Sequence, residues 1–149
     1  QNKLSTQLNH PPFEFALAQF TPGQLTAKAF IDGKLVAEHT VATPDEPAGI
    51  ELSIDVSGKQ PATGVKDVIF AYAQLVDSKG NVVPINGEDI QFTSTGDIEI
   101  VYSNNSLTEQ GKAAVLLRIG KSLKGATIQA SSSALKVKSS PLSFENLSN

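Results

Sequence analysis

The stretch GDIEIVY, residues 96–102, places Asp97 and Glu99 on one face of a strand and Ile98 and Ile100 on the other. Paired carboxylates are what hydrolysis of a glycosidic bond uses, about 5–5.5 Å apart for retention and about 6.5–9.5 Å for inversion. Strand side chains two positions apart stand roughly 7 Å from one another. The same alternation is the ordinary pattern of a sheet with one wet face, and that reading is adopted here. His10 and His39 are the only histidines, and cysteine is absent. A zinc site needs further ligands at metal spacing, so neither histidine is assigned one: His10 precedes Pro11-Pro12 and His39 belongs to a strand. IGKS, residues 119–122, ends like a phosphate-binding loop. Val115 stands where that loop needs glycine, and no helix follows, so it reads as a turn between strands. The triplets Asn104-Asn105-Ser106 and Asn146-Leu147-Ser148 match the glycosylation sequon, which has meaning only in a eukaryotic secretory pathway. The residues therefore offer no catalytic, cofactor-binding or metal-binding position, and no cofactor is expected.

The elements around these residues are strands. FEFALA, residues 13–18, alternates Phe13, Phe15 and Leu17 against Glu14 and predicts a half-buried strand. A hairpin follows. Leu25, Ala27, Ala29 and Ile31 share a face with Leu35, Ala37, His39 and Val41. The turn between them is Asp32-Gly33, a pair that accepts positive φ. TPDEPAG, residues 43–49, reads as a stiff polar linker and the boundary between two domains, 1–46 and 47–149. Beyond it, alternation or apolar runs predict strands near Ile50–Val56, Val68–Leu75, Ile90–Thr93, Ile98–Tyr102, Ala113–Ile119 and Ala126–Ala130, with Leu135 and Val137 alternating after them. Ser103–Gly111 reads as a polar loop. Ala113–Ile119 is almost continuously apolar, as in a strand covered on both faces. Leu52, Phe70, Tyr72, Phe92, Leu116 and Ile128 are the expected core. No helix of ten residues is predicted. The expected fold is all-β: an immunoglobulin-like antiparallel β-sandwich over 47–149, preceded by a partial, three-stranded β-sandwich remnant over 1–46.

Composition agrees with a folded domain. Of 149 residues, 40% are hydrophobic and 18% charged, and the net charge is −3, which is the composition of a globular chain rather than a disordered one. No basic cluster is present, so neither nucleic acid nor an anionic membrane is an expected partner. No apolar run approaches a membrane span. The chain begins at Gln1 and contains no Met, which reads as a piece cut from a longer protein.

FTPGQLTAKAFIDGKLVAEHTVATPDEPAGIELSID, residues 20–55, resembles the C-terminal accessory region of glycoside hydrolase family 2 enzymes of the β-galactosidase type. The residues that carry the resemblance are Pro22-Gly23, Leu25 and Ala27, Gly33, Thr43, Glu46-Pro47, and Ile50 and Leu52. VIFAYAQLVDSKGNVVP, residues 68–84, resembles a strand and Asp-x-x-Gly turn of the following immunoglobulin-like domain. EQGKAAVLLRIGKS and ATIQASSSALK resemble its later strands. The resemblance runs from about Phe13 to Lys136. It implies a parent enzyme that hydrolyses terminal β-linked sugars, with its catalytic glutamates on a (β/α)₈ barrel that has no counterpart here. No catalytic residue carries over. The implied partners are that barrel, the parent's other domains and its oligosaccharide substrate, and the implied location is secreted or periplasmic. The remnant's strands imply missing companions, for which a second copy of the chain could substitute through the N-terminal strands. The alternative is a carbohydrate-binding or adhesion-type module. Such modules present exposed aromatics to sugar, whereas Tyr72 and Tyr102 sit in alternating strands where core is the expected fate.

Overall fold

The computed structural model describes residues 15–56 and 58–145. The chain divides into two units between Thr43 and Pro44. The described part of the first unit is built on one antiparallel hairpin, β1 (Gln24–Ile31) and β2 (Lys34–Ala42). Asp32 and Gly33 both take positive φ at its tip, 49° and 76°, the conformation whose twist matches the flanking strands. Leu25 faces Val41, Ala27 faces His39 and Ala29 faces Ala37. On the opposite face the Thr26 and Thr40 hydroxyls bond at 2.9 Å, Lys28 pairs with Glu38 at 3.5 Å, and Phe30 faces Leu35 near the tip. The register shifts between Ala29 and Phe30. The predicted strand at 13–18 does not form where it can be seen. Phe13 lies outside the described residues, and Phe15–Ala18 are irregular. A short alternating run makes a strand only where a neighbour takes its hydrogen bonds, so the remnant has two described strands rather than three.

The second unit is a sandwich of two antiparallel sheets. One holds β3 (Gly49–Asp55), β4 (Val68–Val76), β8 (Lys112–Ile119) and β6 (Ile98–Val101), in that order. The other runs β10 (Val137–Lys138), β9 (Thr127–Ser132), β5 (Asp89–Thr95), β7 (Asn105–Leu107), and β11 (Leu142–Ser143) also pairs with β9. From β4 to β9 successive strands alternate between the sheets, giving the ABED and GFC strand orders of the immunoglobulin fold. Segment 103–111, expected as a loop, contributes the edge strand β7, paired with Asp89–Gln91 of β5. Asn105, Ser106 and Leu107 are too few to carry a periodic signal, and only the neighbouring strand makes them a strand.

The core lies between the sheets. Phe92, Ile128 and Leu117 are fully buried, with Ile90, Leu75 and Phe144. Phe92 and Ile128 are where alternation places them, and Leu52 is half-buried against the core. Phe70, Tyr72 and Leu116 are not. Phe70 is 48% exposed, and Tyr72 and Leu116 are half-buried on the outer face. The inward row of β4 is Ile69, Ala71, Ala73 and Leu75, and that of β8 is Ala113, Val115, Leu117 and Ile119. Both rows of β4 are apolar enough to be buried, so alternation alone cannot choose between them. Phe92 and Phe144 already fill the layer, and close packing leaves room on β4 only for its smaller row.

Candidate functional site

Asp97 lies in the turn before β6, and its carboxylate works as a clasp. Oδ2 accepts the N–H groups of Lys121 and Ser122 at 2.5 and 3.2 Å, and its backbone carbonyl accepts from Gly120 at 2.9 Å. The approach is so close that a Cβ on Gly120 would lie 2.1 Å from Asp97 Oδ1. The phosphate-loop lookalike at 119–122 is thus a strand end whose free N–H groups are already held by a carboxylate of the same chain. Glu99 projects from the outer face of β6 and pairs with Arg118 of β8 at 2.6 Å. The two carboxylates that sequence spacing associates are therefore engaged separately, one with backbone donors and one with a guanidinium. His39 sits exposed on β2, opposite Ala27, and His10 lies outside the described residues. Among the described residues, no cluster of three or more His, Asp or Glu side chains could hold a metal ion.

Asp77 has a larger structural role than its sequence context announced. It is 4% exposed. Oδ1 accepts the N–H groups of Lys79 and Asn81, both at 2.8 Å. Oδ2 accepts Asn81 Nδ2 and the N–H of Asp45, both at 3.0 Å. These bonds hold its carboxyl far below the usual carboxylate range, the Asn81 side chain first and the Asp45 N–H next, because each favours the charged form. Lys79 in turn pairs with Asp45 at 2.6 Å, and the N–H of Ala48 donates to Val76 at 2.8 Å. From Asp45 onward, the stretch expected as a linker is thus fastened to the sandwich. Asp67 makes a smaller version of the same device, accepting from Ala62 and Val68 at 2.9 Å each.

The two outer faces of the sandwich differ in chemistry. Gln91, Thr93 and Thr95 of β5 lie beside Ser131, Gln129 and Thr127 of β9, a polar face suited to water. On the other sheet, Phe70 lies beside Leu116, which lies beside Val101, and Tyr72 lies beside Ala114. The Phe70 and Tyr72 rings are 6.1 Å apart between centroids, with 25° between their planes. Tyr102, expected in the core, is 97% exposed at φ 72°. A left-handed residue at the end of β6 turns the chain out of the sheet, so its side chain leaves the alternation. The signal for the apolar outer face was present in the uninterrupted run 113–117 and in the two apolar rows of β4.

No protein-family model matches the chain. Over 120 residues it is 29% identical to a β-galactosidase of Thermoanaerobacter pseudethanolicus, covering 74% of this chain and 16% of that protein. Over 79 residues it is 37% identical to the β-galactosidase BoGH2A of Bacteroides ovatus, covering 53% of this chain and 9% of that protein. The chain thus spans about a sixth or less of the curated relatives it matches. Among solved structures, a β-glucuronidase from glycoside hydrolase family 2 superposes on 89% of the chain and 16% of its own, with 25% identity and a TM-score of 0.64. The similarity therefore extends over half of the chain or more, and always to a small share of a much larger protein. The chain is an accessory segment of the kind carried by glycoside hydrolase family 2 proteins of the β-galactosidase type.

Proposed function

We propose that this chain serves a secreted or periplasmic family 2 glycosidase that removes terminal β-linked sugars, as a module that braces the catalytic barrel or shapes the entrance to it. The observation that carries the reading is the match to a β-galactosidase over most of this chain but only 16% of that protein. The engaged states of Asp97 and Glu99 support it, since neither is offered as an acid or nucleophile beside a cleft. The isolated chain is expected to hydrolyse an aryl β-galactoside no faster than a buffer blank. Turnover that vanished on Asp97→Asn or Glu99→Gln would overturn the module reading. The longer reading frame that encodes this chain is expected to specify a barrel with two catalytic glutamates.

The hairpin supports a second statement about the isolated chain. Leu25 and Val41 are exposed on one side of β1 and β2, Phe30 and Leu35 on the other, and a lone two-stranded hairpin is marginal in water. In the parent, companion strands cover the side of Leu25 and Val41. In isolation, a second copy of the chain takes their place. A carbohydrate-binding role is favoured by one observation, the outward Tyr102, because exposed aromatic rings stack on sugar faces. Calorimetric titration with β-linked oligosaccharides, repeated on Tyr102→Ala, tests that alternative.

A further inference from the structure

We propose that the outward face of the β3–β4–β8–β6 sheet, centred on Phe70, Tyr72 and Leu116, is an interface covered by another domain of the same polypeptide. The proposal rests on the accessory-segment reading and assigns the docking face within it.

Three observations converge. First, β8 reads Ala113-Ala114-Val115-Leu116-Leu117. A strand with one wet face alternates, and one covered on both faces does not. The sandwich covers only Ala113, Val115 and Leu117, leaving Ala114 and Leu116 half-buried. Second, the apolar character is concentrated on one sheet. On the outer face of the other, β5 and β9 present Asp89, Gln91, Thr93 and Thr95 and Ser131, Gln129 and Thr127, with the exposed Leu107 at the β7 edge, so the module has a face built mainly for water and a different face built for something else. Third, the patch has the anatomy of an interface. Its centre is aromatic and aliphatic, with Phe70 in register with Leu116 and Val101. Its margin is charged: Glu51 and Lys112 flank Gln74 at one end, and the Arg118–Glu99 pair lies at the other. An apolar centre enriched in aromatics inside a charged margin is what distinguishes a buried patch from ordinary surface.

The occupant follows from length and chemistry. The relatives are proteins of which this chain spans 16% and 9%, so most of such a polypeptide is available to pack against it. A sugar is a poorer fit. Sites for small polar ligands converge several hydrogen-bonding groups on the ligand; here Ser53 and Asp55 of β3 border the two rings on one side only, and on the other Leu116, Val101 and Ala114 continue the face as aliphatic carbon.

The test is hydroxyl-radical footprinting of the 149-residue chain and of the full polypeptide that encodes it, with free phenylalanine added as a dosimeter. Phe92, fully buried, reports that the sandwich is folded and is expected to react slowly in both. Phe70 and Tyr72 are expected to oxidise readily in the isolated chain and several-fold more slowly in the full polypeptide. Equal rates in the two would overturn the proposal while leaving the accessory reading standing. A full polypeptide with no further domain would overturn both. Protection that appears in the isolated chain as its concentration rises would assign the face to a second copy instead. Protection by added β-linked oligosaccharide would assign it to sugar. As an independent check, Phe70→Lys is expected to lower the melting temperature of the full polypeptide by more than that of the isolated chain. An equal change in the two would also overturn the proposal.

Discussion

Leu116 and Leu117 are neighbours of the same type on the same strand, and they point to opposite faces. Replacing each by Ala therefore compares the two faces directly, because the same substitution on one strand then differs in what the side chain packs against. Leu117 is 0% exposed and belongs to the core with Phe92 and Ile128. Truncating it loses the transfer energy of the side chain and leaves a cavity, about 2–5 kcal/mol together. Leu116 is half-buried on the outer face. Full burial of such a side chain stabilises by about 1.5–3 kcal/mol, so partial burial with no enclosed cavity corresponds to about 1 kcal/mol. The expected difference between the variants is about 1–4 kcal/mol. With a urea slope of about 1.5 kcal/mol/M, their midpoints should differ by about 0.7–2.7 M. The transition can be followed by tyrosine fluorescence, since Tyr72 on β4 lies beside Ala114 of β8, and checked by far-ultraviolet circular dichroism. Equal midpoints, or a larger loss for Leu116→Ala, would refute the assignment of inner and outer rows on β8 and with it the argument for the docking face.

Gly111 takes φ 79° and a Cβ there would sit 2.2 Å from the Val83 carbonyl oxygen, so Gly111→Ala should destabilise the sandwich by more than about 1 kcal/mol, read as a lower urea midpoint. Asp77 has a folded-state pKa depressed below its ordinary value. Its contribution is present above the unfolded pKa, about 3.9, and is lost as pH falls from there toward the folded value. The urea midpoint of the wild type should therefore drop between about pH 4 and pH 2, and Asp77→Asn should show a lower midpoint at neutral pH with a shallower acid limb. A slope in the variant as steep as the wild type's would remove Asp77 from that role. Light scattering of the isolated chain at micromolar concentration should report a dimer. A strict monomer whose hairpin amides are nonetheless protected in hydrogen exchange would sink the second-copy reading.

The alternating runs determined which segments could be strands, because a period of two is a property of the local chain. They also determined the hairpin, because Asp32-Gly33 has one favoured conformation between two such runs. The reading of residues 119–122 as a turn was equally local: Val115 stands where a phosphate loop needs glycine. Local pattern could not say which row of β4 turns inward. Phe70 with Tyr72 and Ile69 with Leu75 are both apolar rows, and the choice was made by the volume that Phe92 and Phe144 occupy from elsewhere in the chain. Nor could it show that Asn105–Leu107 is a strand, which exists only because β5 offers its edge. The same holds for Asp77, whose donors come from Asp45, Lys79 and Asn81, and for Asp97, which closes on a turn 24 residues away. A strand's period is set within a few residues, but the side it presents and the partners of its polar groups depend on what other segments bring against it, and only the tertiary structure contains those.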